Sequence, residues 1–541
     1  MTDFAVAVHE AQADEGGTAV LLATAPPDAA PPVRVPLRAL RSGRDRDGGR
    51  LRVTSARAGA AGGASGAGAG TARFEADFSD GQRRLYEVTW TRAGAAAGAG
   101  LEVRALGPRG AGGGGGDLLV RDIGQLVTCD PARAAGHPGT PGGAAAGAGA
   151  LGVVQDAAVV IAGGRVVWAG RAADIPEGVI PGGAEELDAG GACVLPGFVD
   201  AHNHLVFAGD RAAEYAARLA GASYADVLKA GGGILHTVRA TRAASTDALA
   251  ELARERLDRL LSFGVTTAEA KSGYGLERAA EWRLLEVIRA LGETHPVELV
   301  PTFLGAHAVP AEHRGSATAR EAWVDELCRA QVPAVAAAGL ARFCDVFVDD
   351  GAYTLEEGAR ILRAARDAGL ALKIHAEEIA HTGAAAMAAA LGAVSADHLE
   401  RIDAAGIAAM AAAGTVAVLL PGTATVLGLP PPPVRALADA GVALALGTDL
   451  NPGTCNSENL GLMVGLACAH FRLSVEEAVL AVTRNAARAL GVADRCGVLA
   501  PGLRGDLVVL DAPDYQHLAY RLGVPLAAVV VKEGEVVFRA R

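Results

Sequence analysis

Two histidines separated by a single residue, His202 and His204, are the side chains of this chain best suited to chemistry. They end an apolar run, residues 194–201, that is typical of a buried strand. Side chains two residues apart on an extended backbone project to the same side, so both imidazoles can reach one metal ion. A His-x-His pair is weak support by itself, because two partly exposed loop histidines have the same pattern. Further ligands must come from elsewhere in the chain.

Two other apolar runs also end in polar residues that bind metals. His375 follows the run 370–374, and Asp449 follows the run 442–446. Taken singly, His375 is typical of a core histidine and Asp449 of a helix N-cap. Three imidazoles and one carboxylate together can hold a divalent metal and leave room for water, as catalytic metal sites require. Their joint occurrence favours one metal centre that includes the His-x-His pair.

Two residues near these ligands are predicted to be catalytic. Glu378, three residues after His375, could take a proton from an activated water and deliver it to a leaving nitrogen. Glu377 is the alternative, and its ordinary interpretation is a solvated surface charge. His398 follows the run 393–396 and could belong to the metal environment or stabilise negative charge that develops on oxygen.

The elements that must position these residues are eight apolar runs between residues 194 and 496, separated by amphipathic or Ala-rich helical stretches. The predicted strands cover residues 194–200, 264–268, 297–303, 343–347, 370–374, 393–396, 415–420 and 442–446. Eight such strands alternating with helices predict an α/β fold, a (β/α)8 TIM barrel. Active-site residues of such barrels lie at the carboxyl ends of the strands, which is where the candidate residues fall.

Short strands on both sides of the barrel predict one small β domain composed of residues 117–193 and 497–541. Residues 1–116 are expected to be a separate N-terminal extension of unknown fold, because Gly/Ala-rich stretches typical of linkers interrupt them. Within this extension, residues 71–78 and 84–91 alternate in part and are separated by a turn sequence, which predicts a β-hairpin.

The composition and net charge of the chain argue against some classes of binding partner and favour one cellular compartment. The 541 residues carry a formal net charge of -12, which argues against a nucleic-acid or anionic-membrane partner. Residues 404–434 carry no charge, but Gly and Pro interrupt them, so a helix followed by a strand is predicted instead of a membrane span. Seven cysteines without a Cys-x-x-Cys pair, and no secretory signal pattern at the start, favour the cytoplasm.

Six segments in order resemble the amidohydrolase superfamily and, within it, the imidazolonepropionases, which are cyclic-amide hydrolases of histidine degradation. These segments are residues 200–211, 231–234, 271–276, 303–307, 375–378 and 447–454. The resemblance covers about residues 117–541 and implies an amidohydrolase-type barrel with one divalent metal ion, zinc or iron. It further implies a homodimer that hydrolyses 4-imidazolone-5-propanoate to N-formimidoyl-L-glutamate, with Glu378 accepting a proton from an activated water.

The resemblance also implies a set of substrate-binding residues. Arg211 matches the arginine that binds the substrate carboxylate, a role that suits a bidentate guanidinium. Glu378 is implied to contact the substrate too. The other implied contacts are Tyr224, Tyr274, His307, Asn451, Gly453 and Thr454. Ordinary alternatives exist, such as a surface arginine or simple turn chemistry at residues 451–454. Asn203 departs from the family, in which most members have threonine between the two histidines.

Two other functions remain open at this point. An aminohydrolase of the same superfamily that acts on a heterocyclic ring would also carry a histidine and a glutamate three residues apart after strand five. A non-catalytic scaffold or binding protein with this fold is the second alternative, although such proteins usually lose ligands that this chain retains.

A relative that binds two metal ions would need a bridging lysine after strand four. Residues 343–350 contain none, so a single metal is expected.

Overall fold

The computed structural model describes residues 53–58, 69–78, 83–91, 100–106, 115–133, 148–221 and 232–540. The chain divides into two compact units, one of Met1–Gly113 with Glu293–Pro296, the other of Gly114–Gly292 with Val297–Arg541. The strands of the first unit are β1 Val53–Ala58, β2 Ala69–Phe78, β3 Arg83–Thr91 and β4 Gly100–Leu106. They pair antiparallel in chain order, and the pairing of β2 with β3 confirms the predicted hairpin.

Strands from both ends of the second unit form one mixed sheet, as the flanking sequences predict. The strands are β5 Leu118–Val127, β6 Val153–Ala162, β7 Arg165–Arg171, β8 Glu185–Asp188, β9 Cys193–Pro196, β19 Leu507–Leu510, β20 Ala527–Lys532 and β21 Glu535–Arg539. Their order is β21-β20-β19-β9-β5-β6-β7, with β8 beside β5. The last hairpin turns through Glu533 and Gly534, which both have positive φ, as a tight two-residue turn requires.

A second sheet of this unit is the barrel. Its strands are β10 Phe198–Asp200, β11 Val265–Lys271, β12 Glu298–Ala306, β13 Phe343–Val348, β14 Ala371–Leu372, β15 His375–Ala376, β16 Ser395–His398, β17 Val416–Leu419 and β18 Leu444–Leu446. Neighbours pair in parallel from β10 to β18, with β14 beside β13. Ala201 N donates to Leu446 O (3.3 Å) and Asp449 N to His202 O (2.9 Å), so the first and last strands meet. The predicted α/β fold with a TIM barrel is confirmed.

The first predicted strand, residues 194–200, is in fact two strands. β9 pairs with β5 and β19 in the mixed sheet, and only β10 belongs to the barrel. Gly197 joins them, and a Cβ at this position would overlap the side chain of Thr266 on β11. The chain therefore changes sheets at a point where the backbones approach too closely for any side chain. One continuous apolar run cannot reveal such a change.

Helices follow the barrel strands, and polar residues before them determine where several begin. Ser245 accepts a hydrogen bond from Ala248 N at the start of the helix Thr246–Ser262. Thr354 and Glu357 form a capping box at the start of Leu355–Asp367. The other α-helices are Ala212–Leu219, Ile234–Ala243, Arg278–Gly292, Ala317–Glu326, Val332–Ala337, Ala384–Ala390, Ala404–Ala413, Pro421–Leu427, Val434–Asp439, Leu460–Ala469, Val475–Ala481, Arg484–Ala489 and His517–Tyr520.

The uncharged stretch 404–434 forms the helix Ala404–Ala413, the strand β17 and the helix Pro421–Leu427, as its Gly and Pro residues predict. Among the described residues, none of the helices combines the length and the apolar character that crossing a membrane demands. All seven cysteines are free thiols, in line with the absence of paired spacings.

Three buried polar side chains join the two ends of the barrel sheet. Asp200, at the end of β10, accepts hydrogen bonds from Thr448 N (2.8 Å), Thr448 Oγ1 (2.6 Å) and Asn203 Nδ2 (2.8 Å). Asn203 Nδ2 also donates to Thr448 Oγ1 at 3.2 Å. The asparagine between the two histidines is thus part of a clasp between the first and last strands.

Replacing Thr448 with valine should weaken this clasp. The substitution keeps the shape but removes a hydroxyl donor from a buried carboxyl group, so we expect the free energy of unfolding to fall by about 1–3 kcal/mol. Urea unfolding followed by circular dichroism would measure it. Thr318→Val, on the exposed face of a helix, is the matched control. Equal urea midpoints for the two variants would contradict the role of the clasp.

Candidate metal centre

Four buried side chains converge at the carboxyl ends of the first, fifth and eighth barrel strands. His204 Nε2 lies 3.2 Å from His202 Nε2 and 3.4 Å from His375 Nε2. Asp449 Oδ1 lies 3.4 Å from His202 Nε2 and 3.5 Å from His204 Nε2. Ligands bound tetrahedrally at zinc distances are about 3.4 Å apart. His204 Nε2 therefore lies within 3.5 Å of a ligand atom of each of the other three predicted residues, a spacing compatible with one divalent ion. His398 also has a ring nitrogen within 4.8 Å of ring nitrogens of His202 and His375.

The protonation of these residues also suits a metal. Burial, helped by Lys271, holds the pKa of His202 well below its usual value, and burial with His307 does the same for His204. Both rings are therefore neutral, the form that binds metals. Burial raises the pKa of Asp449 to about 6, although the Thr423 hydroxyl, which donates to Asp449 Oδ2, opposes the rise. Asp449 Oδ1 is left facing the histidines.

Two carboxylates on other barrel strands orient the histidine rings. Asp397 Oδ2 lies 2.6 Å from His202 Nδ1, and Asp345 Oδ2 lies 2.9 Å from His375 Nδ1. A carboxylate at Nδ1 fixes the proton there and leaves Nε2 as the free acceptor. The Nε2 atoms that face one another are thus presented by partners inside the barrel.

Two fully buried lysines neutralise these carboxylates. Lys271 Nζ lies 2.6 Å from Asp345 Oδ2 and 2.9 Å from Glu269 Oε2, and Lys373 Nζ lies 3.0 Å from Glu269 Oε2. Both ammonium groups are also within 3.7 Å of Asp397 Oδ2. Burial alone would lower the pKa of Lys271, but the surrounding carboxylates raise it, so this lysine is charged.

Glu378 lies beside His398, with Oε2 3.9 Å from the histidine Nδ1. Burial, and then the carboxylates of Glu400 and Asp449, raise the pKa of Glu378 well above its usual value, which makes it a stronger base. Asp349 holds this turn because its carboxylate accepts hydrogen bonds from the backbone N–H groups of residues 378, 379 and 380 at 2.7–2.9 Å.

Glu377, the alternative base, is engaged elsewhere. Its Oε1 accepts a hydrogen bond from Gly383 N (2.9 Å) and lies 3.0 Å from His381 Nδ1. Of the two glutamates that the sequence leaves open, only Glu378 lies next to His398. The structure thus favours Glu378 for proton transfer.

Tyr274 and His307 form one wall beside the ligands. The His307 ring stacks on His204 with centroids 4.9 Å apart, and the Tyr274 ring lies 5.3 Å from His307. Burial raises the pKa of Tyr274 and lowers that of His307 to about 3, so both are neutral. Glu281 fixes the loop that carries Tyr274, because it accepts hydrogen bonds from three backbone N–H groups of residues 273–276.

Arg211 is held by an internal carboxylate. Its Nε donates to Glu214 Oε2 at 2.9 Å, and its Nη2 donates to Glu214 Oε1. Glu214 is itself anchored by Gly233 N at 2.8 Å. One edge of the guanidinium is therefore occupied, and its outer edge retains donors for another anion. Tyr224, the remaining predicted contact on this side, lies outside the described residues.

The loop after Asp449 shapes the surroundings of Arg211. Asn451 Oδ1 accepts hydrogen bonds from Gly453 N and Thr454 N, each at 2.8 Å. Its Nδ2 donates to the backbone O of Asp449 and to Thr454 Oγ1. These bonds form a side-chain turn of the kind that asparagine favours. A Cβ on Gly453 would overlap Nη1 of Arg211, so only glycine lets the guanidinium lie against this loop.

The sequence patterns do not single out the charged residues that surround the predicted site. These are Glu214, Glu269, Lys271, Glu281, Asp345, Asp349, Lys373, Asp397 and Glu400. A signal was present for some of them, because a charge within an otherwise apolar barrel strand must face the interior. Lys373 within the run 370–374 and Asp345 within 343–347 fit this description.

Comparison with known proteins places the chain among amidohydrolases. A model of the amidohydrolase family matches residues 210–538. An imidazolonepropionase from Porphyromonas gingivalis is 46% identical over 426 residues, which cover 78% of this chain and 97% of that protein. One from Myxococcus xanthus is 47% identical over 425 residues, with the same shares covered.

Solved structures share the fold at low identity. An atrazine chlorohydrolase from Arthrobacter aurescens TC1 complexed with zinc is 19% identical, with a TM-score of 0.55 over 78% of this chain and 95% of that chain. An adenosine deaminase from Xanthomonas campestris with bound zinc is 20% identical, with a TM-score of 0.56 over 78% and 92% of the two chains. These likenesses show that the chain shares its fold with two enzymes whose structures contain zinc.

Replacing single residues should separate metal ligands from their neighbours. We expect Asp449→Ala to reduce bound metal from about one equivalent per chain to a small fraction of that, because a charged ligand is lost. His398→Gln should retain its metal, since His398 is not among the four predicted ligands although its ring lies near those of His202 and His375. Elemental analysis of the purified variants would measure both. Equal metal loss in the two variants would show that the ligand set is different.

Proposed function

This chain belongs to the amidohydrolase family, and we propose that it opens the ring of 4-imidazolone-5-propanoate by hydrolysis, releasing N-formimidoyl-L-glutamate in histidine degradation. The observation that carries the proposal is the convergence of His202, His204, His375 and Asp449, in which His204 Nε2 lies 3.2–3.5 Å from a ligand atom of each of the other three. Glu378 lies beside His398 at the same end of the barrel. The 46% identity to an imidazolonepropionase over 78% of the chain supports the choice of substrate.

The four convergent residues would hold one divalent ion, and either zinc or iron accepts imidazole and carboxylate ligands. Such an ion, when bound, supplies an activated water at neutral pH and polarises a carbonyl oxygen. The neutral state of His202 and His204 and the partners at the Nδ1 atoms of His202 and His375 support this assignment.

Glu378 is the proposed proton carrier. It accepts a proton from water as the oxygen forms a bond to the ring carbonyl carbon, and the carbon–nitrogen bond of the ring amide then breaks. Glu378 or His398 delivers a proton to the departing nitrogen. The raised pKa of Glu378 supports the first half of this cycle, since burial makes its carboxylate a stronger base toward water.

Arg211 would bind the propanoate group of the substrate. Glu214 holds the Nε edge of the guanidinium, so the outer edge can donate two parallel hydrogen bonds to a carboxylate. Tyr274 and His307 would contact the ring, and Tyr224 and Thr454 complete the proposed contacts. The polar atoms of the Asn451 side chain are engaged in its turn, so its contribution would be to shape the loop at Gly453.

Because β9 belongs to the mixed sheet, residues 197–496 would be the catalytic barrel, and residues 117–196 and 497–541 would be one composite β domain. Residues 1–116 would be an extension of unknown function. We further propose a cytoplasmic homodimer with a small-molecule substrate and no nucleic-acid or membrane partner. Sedimentation equilibrium would determine the oligomeric state.

The decisive test is turnover by metal-analysed protein. We expect 4-imidazolone-5-propanoate to lose its ultraviolet absorbance, and Glu378→Gln to slow this reaction by about 100- to 10,000-fold while its metal stays bound, because the proton carrier is lost. Glu377→Gln, a neighbouring buried carboxyl group, should have a much smaller effect. Deamination of a heterocycle without ring-opening would contradict the function, and full activity of Glu378→Gln would contradict the proton-transfer role.

Gly453→Ala should impair substrate binding. The added methyl group would displace the Arg211 guanidinium, and loss of hydrogen bonds to a charged carboxylate should lower kcat/KM by about 10- to 100-fold, mainly through KM. Gly315→Ala is the matched control, because a Cβ there meets no atom within 4 Å. Steady-state kinetics would measure the change, and a KM equal to that of the control would argue against this position for Arg211.

A further inference from the structure

The end of the sixth barrel strand carries a buried carboxyl group that the proposed mechanism does not use. Glu400 lies two residues beyond His398, and its side chain is only 5% exposed. Neither of its carboxyl oxygens has a hydrogen-bond partner in the described part of the chain. Burial of a carboxyl group without a partner is strongly unfavourable. Such an orphaned group points to a ligand that completes its hydrogen bonds.

The backbone places Glu400 beside Glu378. Strands β15 and β16 pair in parallel up to Ala376. Beyond them, Leu399 N donates to Ala376 O at 3.1 Å, and Arg401 N donates at 2.8 Å to the carbonyl of the residue before Glu378. The two turns therefore run side by side, which brings the orphaned carboxyl group level with the proposed proton carrier.

The charged neighbours of Glu400 show which way it faces. Besides Glu378, they are the carboxylates of Asp449 after β18 and Asp349 after β13, which the guanidinium of the adjacent Arg401 partly offsets. Asp449 and Asp349 belong to strand ends on different sides of the barrel axis, so the carboxyl group of Glu400 lies on the inner side of the ring of strand ends. Burial, with the carboxylates of Asp449 and Asp349, raises the pKa of Glu400 to about 8. A cationic ligand would relieve this accumulation of negative charge.

The turn that presents Glu400 is strained. His398 and Leu399 have φ values of 78° and 76°, in the left-handed region that residues with a Cβ disfavour. Two consecutive residues of this kind persist only where the surrounding structure imposes them, and such strain clusters at functional sites. The backbone hydrogen bonds from Leu399 and Arg401 to the end of the fifth strand hold this conformation.

We propose that Glu400 binds the amidine N–C–N edge of the substrate ring and the formimidoyl group of the product, and so selects an amidine ring over a simple cyclic amide. This assignment rests on the proposed function. When water adds to the ring carbonyl and the amide bond breaks, the departing nitrogen gains a proton, and the new carboxylic acid loses its own proton to the amidine, which becomes an amidinium group. That group is a planar cation with N–H donors, which a carboxylate binds as it binds a guanidinium.

The test compares two ligands that differ by one atom. N-formimidoyl-L-glutamate carries the amidinium, whereas in N-formyl-L-glutamate an oxygen replaces that nitrogen and the group is neutral. Calorimetric titration of the metal-loaded enzyme should show that the first binds more tightly. Glu400→Gln should weaken it by about tenfold or more, because a charged hydrogen bond is lost, and leave the affinity for N-formyl-L-glutamate unchanged.

Glu377→Gln is the control, since this nearby buried carboxyl group is engaged by Gly383 N, and it should leave the ratio of the two affinities unchanged. A merely structural role of Glu400 would weaken both ligands equally. That result, or an unchanged ratio in Glu400→Gln, with turnover of 4-imidazolone-5-propanoate by the wild-type enzyme intact, would overturn this assignment alone. A wild-type enzyme that neither opens the ring nor binds either ligand would overturn the proposed function and this assignment with it.

Discussion

The buried ion pairs inside the barrel are the constraint on which the proposed active site depends. Lys271 and Lys373 place two ammonium groups among the carboxylates of Glu269, Asp345 and Asp397, and all five side chains are fully buried. Charges in such an environment are tolerated only when each has partners, and removal of one leaves another uncompensated. Because Asp397 and Asp345 also contact the Nδ1 atoms of His202 and His375, the same network determines which ring nitrogen faces the proposed metal. The orientation of these two rings is therefore set from the barrel interior.

The backbone above this network is under strain at the strand ends. Glu377, His398, Leu399 and Asp449 all have positive φ although none is glycine. Left-handed conformations at such residues cost free energy and require the surroundings to hold them. The clasp between Asp200 and Thr448 supports the turn at Asp449, and Asp349 supports the turn at Glu378. Side chains that never touch the substrate thus stabilise the unfavourable turns from which the reactive groups project.

Sequence patterns predicted the barrel and its four ligand candidates because both predictions depend only on the order of apolar and polar residues within short segments of the chain. Apolar runs mark the strands, and a polar residue after each run marks its carboxyl end. What the sequence did not reveal depends on pairs far apart in the chain. Asn203 has a role only because Thr448 lies beside it, 245 residues later. The chain changes sheets at Gly197 because its backbone closely approaches Thr266. Lys271 stays charged inside the barrel because Asp345, on another strand, pairs with it. No pattern within a single element contains these partners.

The proposed metal ligands and the proposed substrate-binding residues lie in different parts of the fold, which explains how one fold serves different reactions. The proposed ligands and their ionic partners lie on strands or directly at strand ends, and the zinc-containing chlorohydrolase and deaminase share this barrel at only 19–20% identity. In contrast, Arg211, Glu214 and the turn at Asn451 lie in connecting segments, where residues can change without disturbing the core. An arginine held by its own glutamate, the proposed carboxylate-binding group, is a feature that the segments between strands can add to or remove from a fixed centre. Substrate identity in this chain therefore has to be argued from those segments, because the barrel itself carries only the common chemistry.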